Sequence, residues 1–275
     1  MTTTTVETFF DSIRDKDIES YNNYWAELKP QTEVAAFKRY LFAFMSVHTS
    51  WKNNCKGYNA IKQFNKWTLE KGEQLELWNY DANALFKRIE RTRVGMQNNR
   101  TDYIGLFNDT FWDSPSDFIS RNSGEDWVEW RDRLAKKILG LGQAKTSFAI
   151  EMLYPTEAKV VCMDTHLFQV YGLNQTKDAK KYKTLEADWI ARSDERGVAP
   201  YMARCLYWDK NQNRKNSRYW SKVLEAGNIQ QATFNYQAHL FRRGKRQARI
   251  RLELILSELN WMHLILPPKA QQPEI

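Results

Sequence analysis

Apolar residues recur at spacings of three and four along most of the chain, and this periodicity constrains the fold more than any other feature of the sequence. Such spacing places apolar side chains on one face of an α-helix, whereas the alternating runs typical of strands barely occur. We therefore predict an all-α protein. The candidate helices cover residues 5–28, 32–47, 51–70, 82–92, 97–111, 114–121, 126–138, 143–153, 165–171, 180–192, 197–210, 216–226 and 245–265.

Size and composition indicate a folded protein with a basic surface. Of the 275 residues, 42% are hydrophobic and 14% are aromatic, which is enough to bury a core within two lobes. The formal net charge of +8 favours a polyanionic partner, although many basic proteins bind no nucleic acid. Neither a signal-peptide pattern nor an apolar run of about 18 residues occurs, so we expect a cytoplasmic protein that does not enter a membrane.

Cysteine usage argues against a disulfide framework and against a metal loop. The three cysteines, Cys55, Cys162 and Cys205, lie far apart and outside any C-x-x-C spacing. Spacings of that kind are what zinc loops, iron–sulfur loops and small disulfide-rich folds require. We therefore expect reduced, separate thiols.

A polar and basic segment at residues 173–184 divides the chain into two regions. We predict a helical core at 1–172, which carries a helical hairpin at about 130–153, and a C-terminal helical part at 173–275 that packs back on the core. One unit of two lobes is favoured over two independent domains.

Residues 139–153, LGLGQAKTSFAIEML, indicate a tight Gly-x-Gly turn between two helices. Gly140 and Gly142 allow backbone conformations that a side chain forbids, and they leave N–H groups exposed at the start of a helix, where a phosphate binds well. A tight turn without a ligand also explains both glycines, so the two interpretations stay open.

Asp164 follows the apolar stretch VVCM and precedes a short helix with an apolar face. This position predicts an N-cap, because a carboxylate there accepts hydrogen bonds from the first backbone N–H groups of the helix. A chemical role for the same carboxylate is the alternative.

The hairpin and Asp164 together resemble the helix-hairpin-helix DNA glycosylases, in which an L-P-G-V-G-x-K hairpin is followed by V-D-T-H and a further helix. Here Gly140 and Asp164 are 24 residues apart. Upstream, residues 41–61 resemble the L-L-S-x-Q-T-x-D segment of that family, and residues 93–104 resemble its G-x-x-x-x-K-A segment. The four segments occur in the family's order between residues 36 and 172.

The resemblance implies a two-lobed all-α fold with the active cleft between the lobes. It implies a DNA N-glycosylase, a hydrolase that flips out and excises a damaged or modified base, hypermodified viral bases included. In that reaction Asp164 is the carboxylate beside the anomeric carbon. No iron–sulfur cysteine set follows Gly172, so the resemblance implies a cluster-free, phage-related branch without a cofactor, and a monovalent cation at the hairpin is left open.

Lys145 is the second candidate catalytic residue that the resemblance implies. In bifunctional relatives a lysine in this neighbourhood attacks the sugar and the strand is nicked. Lys145 lies one place beyond the family's lysine, which rotates it by about 100° around the helix if the helix start is unchanged. A Lys145 that contacts phosphate or solvent fits the sequence equally well.

Candidate DNA contacts come from the hairpin and from three other segments. Residues 48–51 are candidates for a wedge or a base pocket, with core packing as the alternative, and residues 97–100 form a polar run that an exposed loop also explains. Cations at the start of the last helix oppose its macrodipole and indicate an anionic partner, although solvated charge runs are common. The candidates are His48, Thr49, Trp51, Gln97, Asn98, Asn99, Arg100, Gly140, Gly142, Gln143, Arg242, Arg243 and Arg246.

Two further functions are compatible with the same segments. One is a base-hypermodification transferase, which joins an amino acid or amine to an activated hydroxymethylpyrimidine in DNA. The other is a non-catalytic DNA-binding module that kept the hairpin. DNA is the expected partner in all three cases, and we expect a monomer.

Overall fold

The structure is a computed structural model that describes residues 5–62 and 82–211. The prediction of an all-α protein is confirmed, because these residues form helices and no strand. No helix among them is long and apolar enough to cross a bilayer. The helices are α1 (Val6–Asp11), α2 (Asp15–Glu27), α3 (Glu33–Met45), α4 (Trp51–Lys62), α5 (Ala82–Thr92), α6 (Gln97–Asp113), α7 (Ser116–Ile119), α8 (Trp127–Lys137), α9 (Gln143–Leu153), α10 (Thr165–Val170), α11 (Tyr182–Arg196) and α12 (Pro200–Asn211), with a 3₁₀ turn at Ala179–Lys181.

The prediction of a single helix at residues 5–28 was wrong, because the helix is interrupted between α1 and α2. The Ser12 hydroxyl donates to the Phe9 carbonyl at 2.6 Å where α1 ends. The Ile13 carbonyl accepts from Arg196 Nε at 3.1 Å and Nη2 at 2.5 Å, so a side chain of α11 replaces the lost helical hydrogen bond. Apolar periodicity does not report this tertiary contact.

The helices pack in two groups. In the first group, α3 contacts α4, α6 and α9, and α5 contacts α4 and α6. In the second group, α1 contacts α11, and α12 contacts both α2 and α11. The α8–α9 hairpin joins the first group through α9, which packs on α3.

An aromatic cluster forms the core of the first group. Phe37 of α3 stacks on Phe107 of α6 with ring centroids 5.6 Å apart, and the buried Tyr40 hydroxyl donates to the Phe118 carbonyl at 2.6 Å. Burial of each such side chain contributes about 1.5–3 kcal/mol. The cluster fixes α3, and α3 in turn supports α9.

The helical hairpin predicted at about 130–153 is present as α8, a tight turn and α9. Asp126 and Glu129 cap the start of α8 reciprocally, each accepting the backbone N–H of the other. Gly140 in the turn has a φ of +89°, and a Cβ there would collide with the Tyr103 ring of α6. The turn therefore requires glycine at this position, as predicted.

All described residues belong to one compact unit that spans Met1–Trp220. The boundary predicted between residues 172 and 173 stays a prediction. The predicted helices at 216–226 and 245–265 lie outside the described residues, as do Arg242, Arg243 and Arg246, and the helix predicted at 51–70 is described only as far as Lys62.

Candidate active site

The candidate site is built on a buried, non-helical segment between α9 and α10. Buried backbone N–H groups outside a helix need other partners, and here two carboxylates supply them. The amide of Val161 donates to Glu186 Oε1 at 2.8 Å, and the amide of Cys162 donates to Glu151 Oε1 at 3.1 Å. The segment is thus fixed in place just before Asp164.

Asp164 caps α10 and keeps its second carboxylate oxygen for another contact. Oδ1 accepts from the backbone N–H groups of His166 and Leu167 at 2.9 and 3.1 Å, so the predicted N-cap is confirmed. Oδ2 accepts from the indole Nε1 of Trp208 at 2.9 Å. The side chain is 19% exposed, so capping does not close the carboxylate off from solvent.

Arg204 of α12 lies between Asp164 and a second carboxylate, that of Glu151. Arg204 Nε and Nη2 donate to the two Glu151 oxygens at 3.0 and 2.6 Å. Arg204 Nη1 lies 3.8 Å from Asp164 Oδ2, which is beyond hydrogen-bonding distance. Arg204 is therefore bonded to one carboxylate and only close to the other.

Burial shapes the electrostatics of this pair, because Glu151 is fully buried and Arg204 is 7% exposed. Burial raises the pKa of Glu151 to about 7, against the opposing effect of the nearby guanidinium. Burial also acts to lower the pKa of Arg204, but the combined effect of Glu151, Cys162, Cys205 and Asp164 outweighs it and the net shift is upward. Arg204 is thus a permanent cation at this place.

Lys145 and Asp164, the two predicted catalytic residues, border the same group of side chains. Lys145 Nζ lies 5.7 Å from the centre of the Phe148 ring, and the Arg204 guanidinium lies 5.0 Å from the same ring. Burial raises the pKa of the Cys162 thiol to about 12, and the charges of Arg204, Lys145 and Asp164 all act on it. Both residues thus lie close enough to Cys162 to act on it, while their roles stay predictions.

A second buried ion pair anchors the same segment. Arg131 Nη1 donates to both Glu186 oxygens at 2.8 and 3.0 Å and to Ser147 Oγ at 3.0 Å. Arg131 is fully buried and Glu186 is 2% exposed. Burial raises the pKa of Glu186, and Arg131 opposes that shift. The ion-pair and hydrogen-bond partners described for this pair do not include Asp164.

The hairpin leaves the start of α9 open. Gly142 is the N-cap, it is exposed, and no side chain caps this helix. Its φ of −74° suits any residue and a Cβ there would meet nothing, so the conformational argument for glycine was wrong at this position. The first N–H groups of α9, beginning at Gln143, are suited to an external acceptor such as a phosphate, and that contact stays a prediction.

Two loops with predicted DNA contacts are tied together by Arg100. Thr49 Oγ1 of the first loop donates to the Val94 carbonyl of the second at 3.3 Å. Arg100 is 3% exposed, and its guanidinium donates to three backbone carbonyls. These belong to Phe44, Val47 and Gly95, at 2.6, 2.6 and 3.0 Å. The guanidinium points into the protein, which corrects the expectation that Arg100 contacts DNA.

Strained backbone marks the same loops. His48, Arg93 and Met96 have φ angles of 46°, 56° and 53°, in the left-handed region that costs a non-glycine residue about 1–2 kcal/mol. His48, Asn98 and Asn99 are exposed and Gln97 is half-buried. Arg100 therefore holds strained loops in place while exposed polar residues face solvent. The side chain of Trp51, at the start of α4, is outside the described structure.

The sequence analysis missed three residues that touch or approach Asp164. Trp208 and Arg204 fall within the helix predicted at 197–210 but were not predicted to be site residues, and Glu151 was not considered. A signal was present: Glu151 and Arg204 each interrupt a run of apolar residues, FAIEML and YMARCLY. A charge inside a buried helix face needs a partner, so each interruption indicates a buried charge with a partner that the sequence does not identify.

Comparison with solved structures identifies proteins of similar fold. The 8-oxoguanine DNA glycosylase of Thermotoga maritima is 14% identical with a TM-score of 0.57, and the match covers 76% of this chain and 96% of that one. The 8-oxoguanine DNA glycosylase of Methanocaldococcus jannaschii is 16% identical with a TM-score of 0.57, covering 75% of this chain and 93% of that one. The glycosylase/lyase of the same organism, in complex with a 15mer DNA containing 8-oxoguanine, is 15% identical with a TM-score of 0.56, over 76% and 95% of the two chains.

No protein-family model and no curated protein sequence matches the chain. The structural matches have low sequence identity, so they are evidence about the fold. Their coverage of the glycosylase chains is nearly complete. The chain thus shares the all-α fold of the 8-oxoguanine DNA glycosylases.

Proposed function

We propose that this chain is a DNA glycosylase that everts a damaged or modified base from duplex DNA and hydrolyses its bond to the sugar. The observation that carries the proposal is the Asp164 carboxylate. It is held by two backbone N–H groups and one indole N–H, and it follows a helix-hairpin-helix in a fold that solved glycosylases share. One of those solved structures contains damaged DNA.

The chemistry of base excision suits a fixed carboxylate. As the base leaves with the bonding electrons, positive charge develops on the deoxyribose ring, and a preorganised negative charge stabilises that transition state. The donors on Asp164 fix both of its oxygens before the reaction, so the charge needs no reorganisation as the bond breaks. The same carboxylate is suited to orient the attacking water.

The role of Lys145 separates two reaction types: displacement of the base by water, and displacement of the base by an amine followed by strand cleavage. If Lys145 Nζ attacks the anomeric carbon, the bond to the base breaks, and opening of the sugar ring then gives an imine that borohydride reduces to a stable protein–DNA adduct. Lys145→Gln would then remove the adduct. Excision without any adduct would assign a monofunctional enzyme, in which Lys145 contributes only positive charge beside the Phe148 ring.

The test is to incubate the protein with duplexes that carry varied damaged and modified bases and to identify the products by mass spectrometry. Free base together with alkali-sensitive abasic sites supports the proposal. An enlarged nucleoside that stays in the strand would instead identify a base-modifying transferase. Tight binding across the whole set without any product would identify a DNA-binding module.

A further inference from the structure

We infer that Glu151 is a positioning residue that keeps Arg204 from neutralising Asp164. The inference rests on the proposed function, because it concerns how the Asp164 carboxylate stays available to the reacting sugar. It assigns a role in the site to a carboxylate that is fully buried and cannot touch substrate itself.

The geometry around Arg204 is unequal. Glu151 takes Arg204 Nε and Nη2 in a bidentate pair at 3.0 and 2.6 Å, whereas the remaining nitrogen, Nη1, stops 3.8 Å from Asp164 Oδ2. The Phe148 and Tyr201 rings lie 5.0 and 5.3 Å from the guanidinium and confine it further. A shift of about 1 Å would bring Nη1 into a charge-assisted hydrogen bond with Asp164.

Such a shift would weaken the reaction for two reasons. A guanidinium bonded to Asp164 cancels the negative charge that stabilises the transition state, and it places a second positive charge beside the one that develops on the sugar. With an ionised Glu151 in place, the buried Arg204–Glu151 pair is neutral as a unit, so Arg204 does not cancel the charge of Asp164. Glu151 therefore acts through Arg204.

The Arg131–Glu186 pair provides a matched control. Each glutamate is almost fully buried, each is paired with an arginine, and each accepts a neighbouring amide of the segment before Asp164. Only Arg204 borders Asp164. Loss of Glu186 thus removes a buried carboxylate and its contact with the same segment, as loss of Glu151 does, while Arg131 keeps Asp132 as a counter-ion.

The experiment compares the affinities of two abasic duplexes for each variant. One duplex carries a pyrrolidine ring that is positively charged at the anomeric position, and the other carries a neutral tetrahydrofuran. We expect wild type and Glu186→Gln to prefer the charged duplex by similar factors, and Glu151→Gln to lose at least about tenfold of that preference, which corresponds to one strong charge–charge contact. Circular dichroism confirms that each variant is folded.

A double variant keeps the inference falsifiable if Glu151→Gln does not fold. Glu151→Gln combined with Arg204→Gln removes both buried charges. Because Arg204 can then no longer pair with Asp164, we expect the preference for the charged duplex to return. A merely structural role for Glu151 predicts no return. A folded Glu151→Gln that keeps the full preference, or a double variant that lacks it, overturns the inference.

Failure of the proposed function looks different. If wild type itself shows no preference for the charged duplex and excises no base, the glycosylase proposal fails and the role of Glu151 fails with it. If wild type excises a base and prefers the charged duplex while the Glu151 variants behave as wild type, only the role of Glu151 is overturned.

Discussion

Two buried arginine–glutamate pairs hold adjacent amides of one short segment, and they differ in what lies next to the arginine. Arg131 also pairs with the partly exposed Asp132 carboxylate and donates to Ser147 Oγ, whereas Arg204 is close to the Asp164 carboxylate. Burying such a pair often stabilises a protein no more than apolar residues of the same volume would. The comparison suggests that both pairs serve to position the segment, and that only one of them also controls the charge at the site.

The largest expected effect tests whether the segment that both pairs position carries the catalytic carboxylate, Asp164. Asp164→Asn preserves the shape of the N-cap but removes the charge, so excision should fall on the order of 10³-fold while DNA binding changes little. Single-turnover excision and fluorescence anisotropy measure the two quantities. Asp188→Asn is the control, because that carboxylate accepts from Tyr171 and Arg192 and has no described contact with Asp164. Wild-type excision by Asp164→Asn would contradict the proposed function.

The second prediction tests whether the two pairs are equivalent in stability. Glu151→Gln leaves the buried Arg204 without its bonded counter-ion and should lower the free energy of unfolding by about 3–5 kcal/mol, whereas Glu186→Gln leaves Arg131 paired with Asp132 and should lower it by less. Urea denaturation measures both. A loss below about 1 kcal/mol for Glu151→Gln would show that water reaches that pair.

The sequence predicts the local features of this part of the molecule better than its tertiary contacts. The helices and the hairpin follow from apolar periodicity and from Gly140, because both are local properties of the chain. The N-cap at Asp164 is local as well, since a carboxylate just before a helix accepts hydrogen bonds from the first backbone N–H groups of that helix. These features were predicted and are present.

The pairing of charges could not be predicted, because it joins distant elements. Glu151 and Arg204 are 53 positions apart and Arg131 and Glu186 are 55 apart, and nothing local specifies which acid meets which base. Arg100 was predicted to contact DNA for the same reason. It lies in a polar run that is typical of an exposed loop, and the sequence does not show that distant backbone carbonyls accept from its guanidinium. The interruption between α1 and α2 could not be predicted either, because it involves the distant Arg196.

A smaller effect is a pH dependence of excision, which distinguishes the Arg204–Glu151 pair from the Arg131–Glu186 pair. Its pKa is raised to about 7 by burial, so Glu151 is ionised above that pH and protonated below it. A protonated Glu151 no longer balances Arg204, which faces Asp164 and Cys162 as well. Excision should therefore fall as pH decreases through about 7, by about tenfold at one unit below it.

Rate measurements across pH at constant ionic strength test this dependence. Glu151→Gln should be slow and independent of pH in this range, because the titrating carboxyl is gone. Glu186→Gln should keep the wild-type profile. A profile that persists unchanged in Glu151→Gln would assign the titration to another group and would remove this difference between the pairs.

The smallest effect concerns the neutral donor beside each pair. Trp208 Nε1 donates to Asp164 Oδ2 at 2.9 Å, and the Tyr182 hydroxyl donates to the Val161 carbonyl at 2.7 Å on the Glu186 side of the segment. Trp208→Phe removes one hydrogen bond from the reacting carboxylate and should slow excision about fivefold, since such a bond contributes about 1 kcal/mol. Tyr182→Phe should lower the free energy of unfolding by a similar amount and leave excision unchanged. If Tyr182→Phe slowed excision as much as Trp208→Phe, the segment as a whole, and not the surroundings of Asp164 alone, would set the rate, and the distinction between the two pairs would not hold.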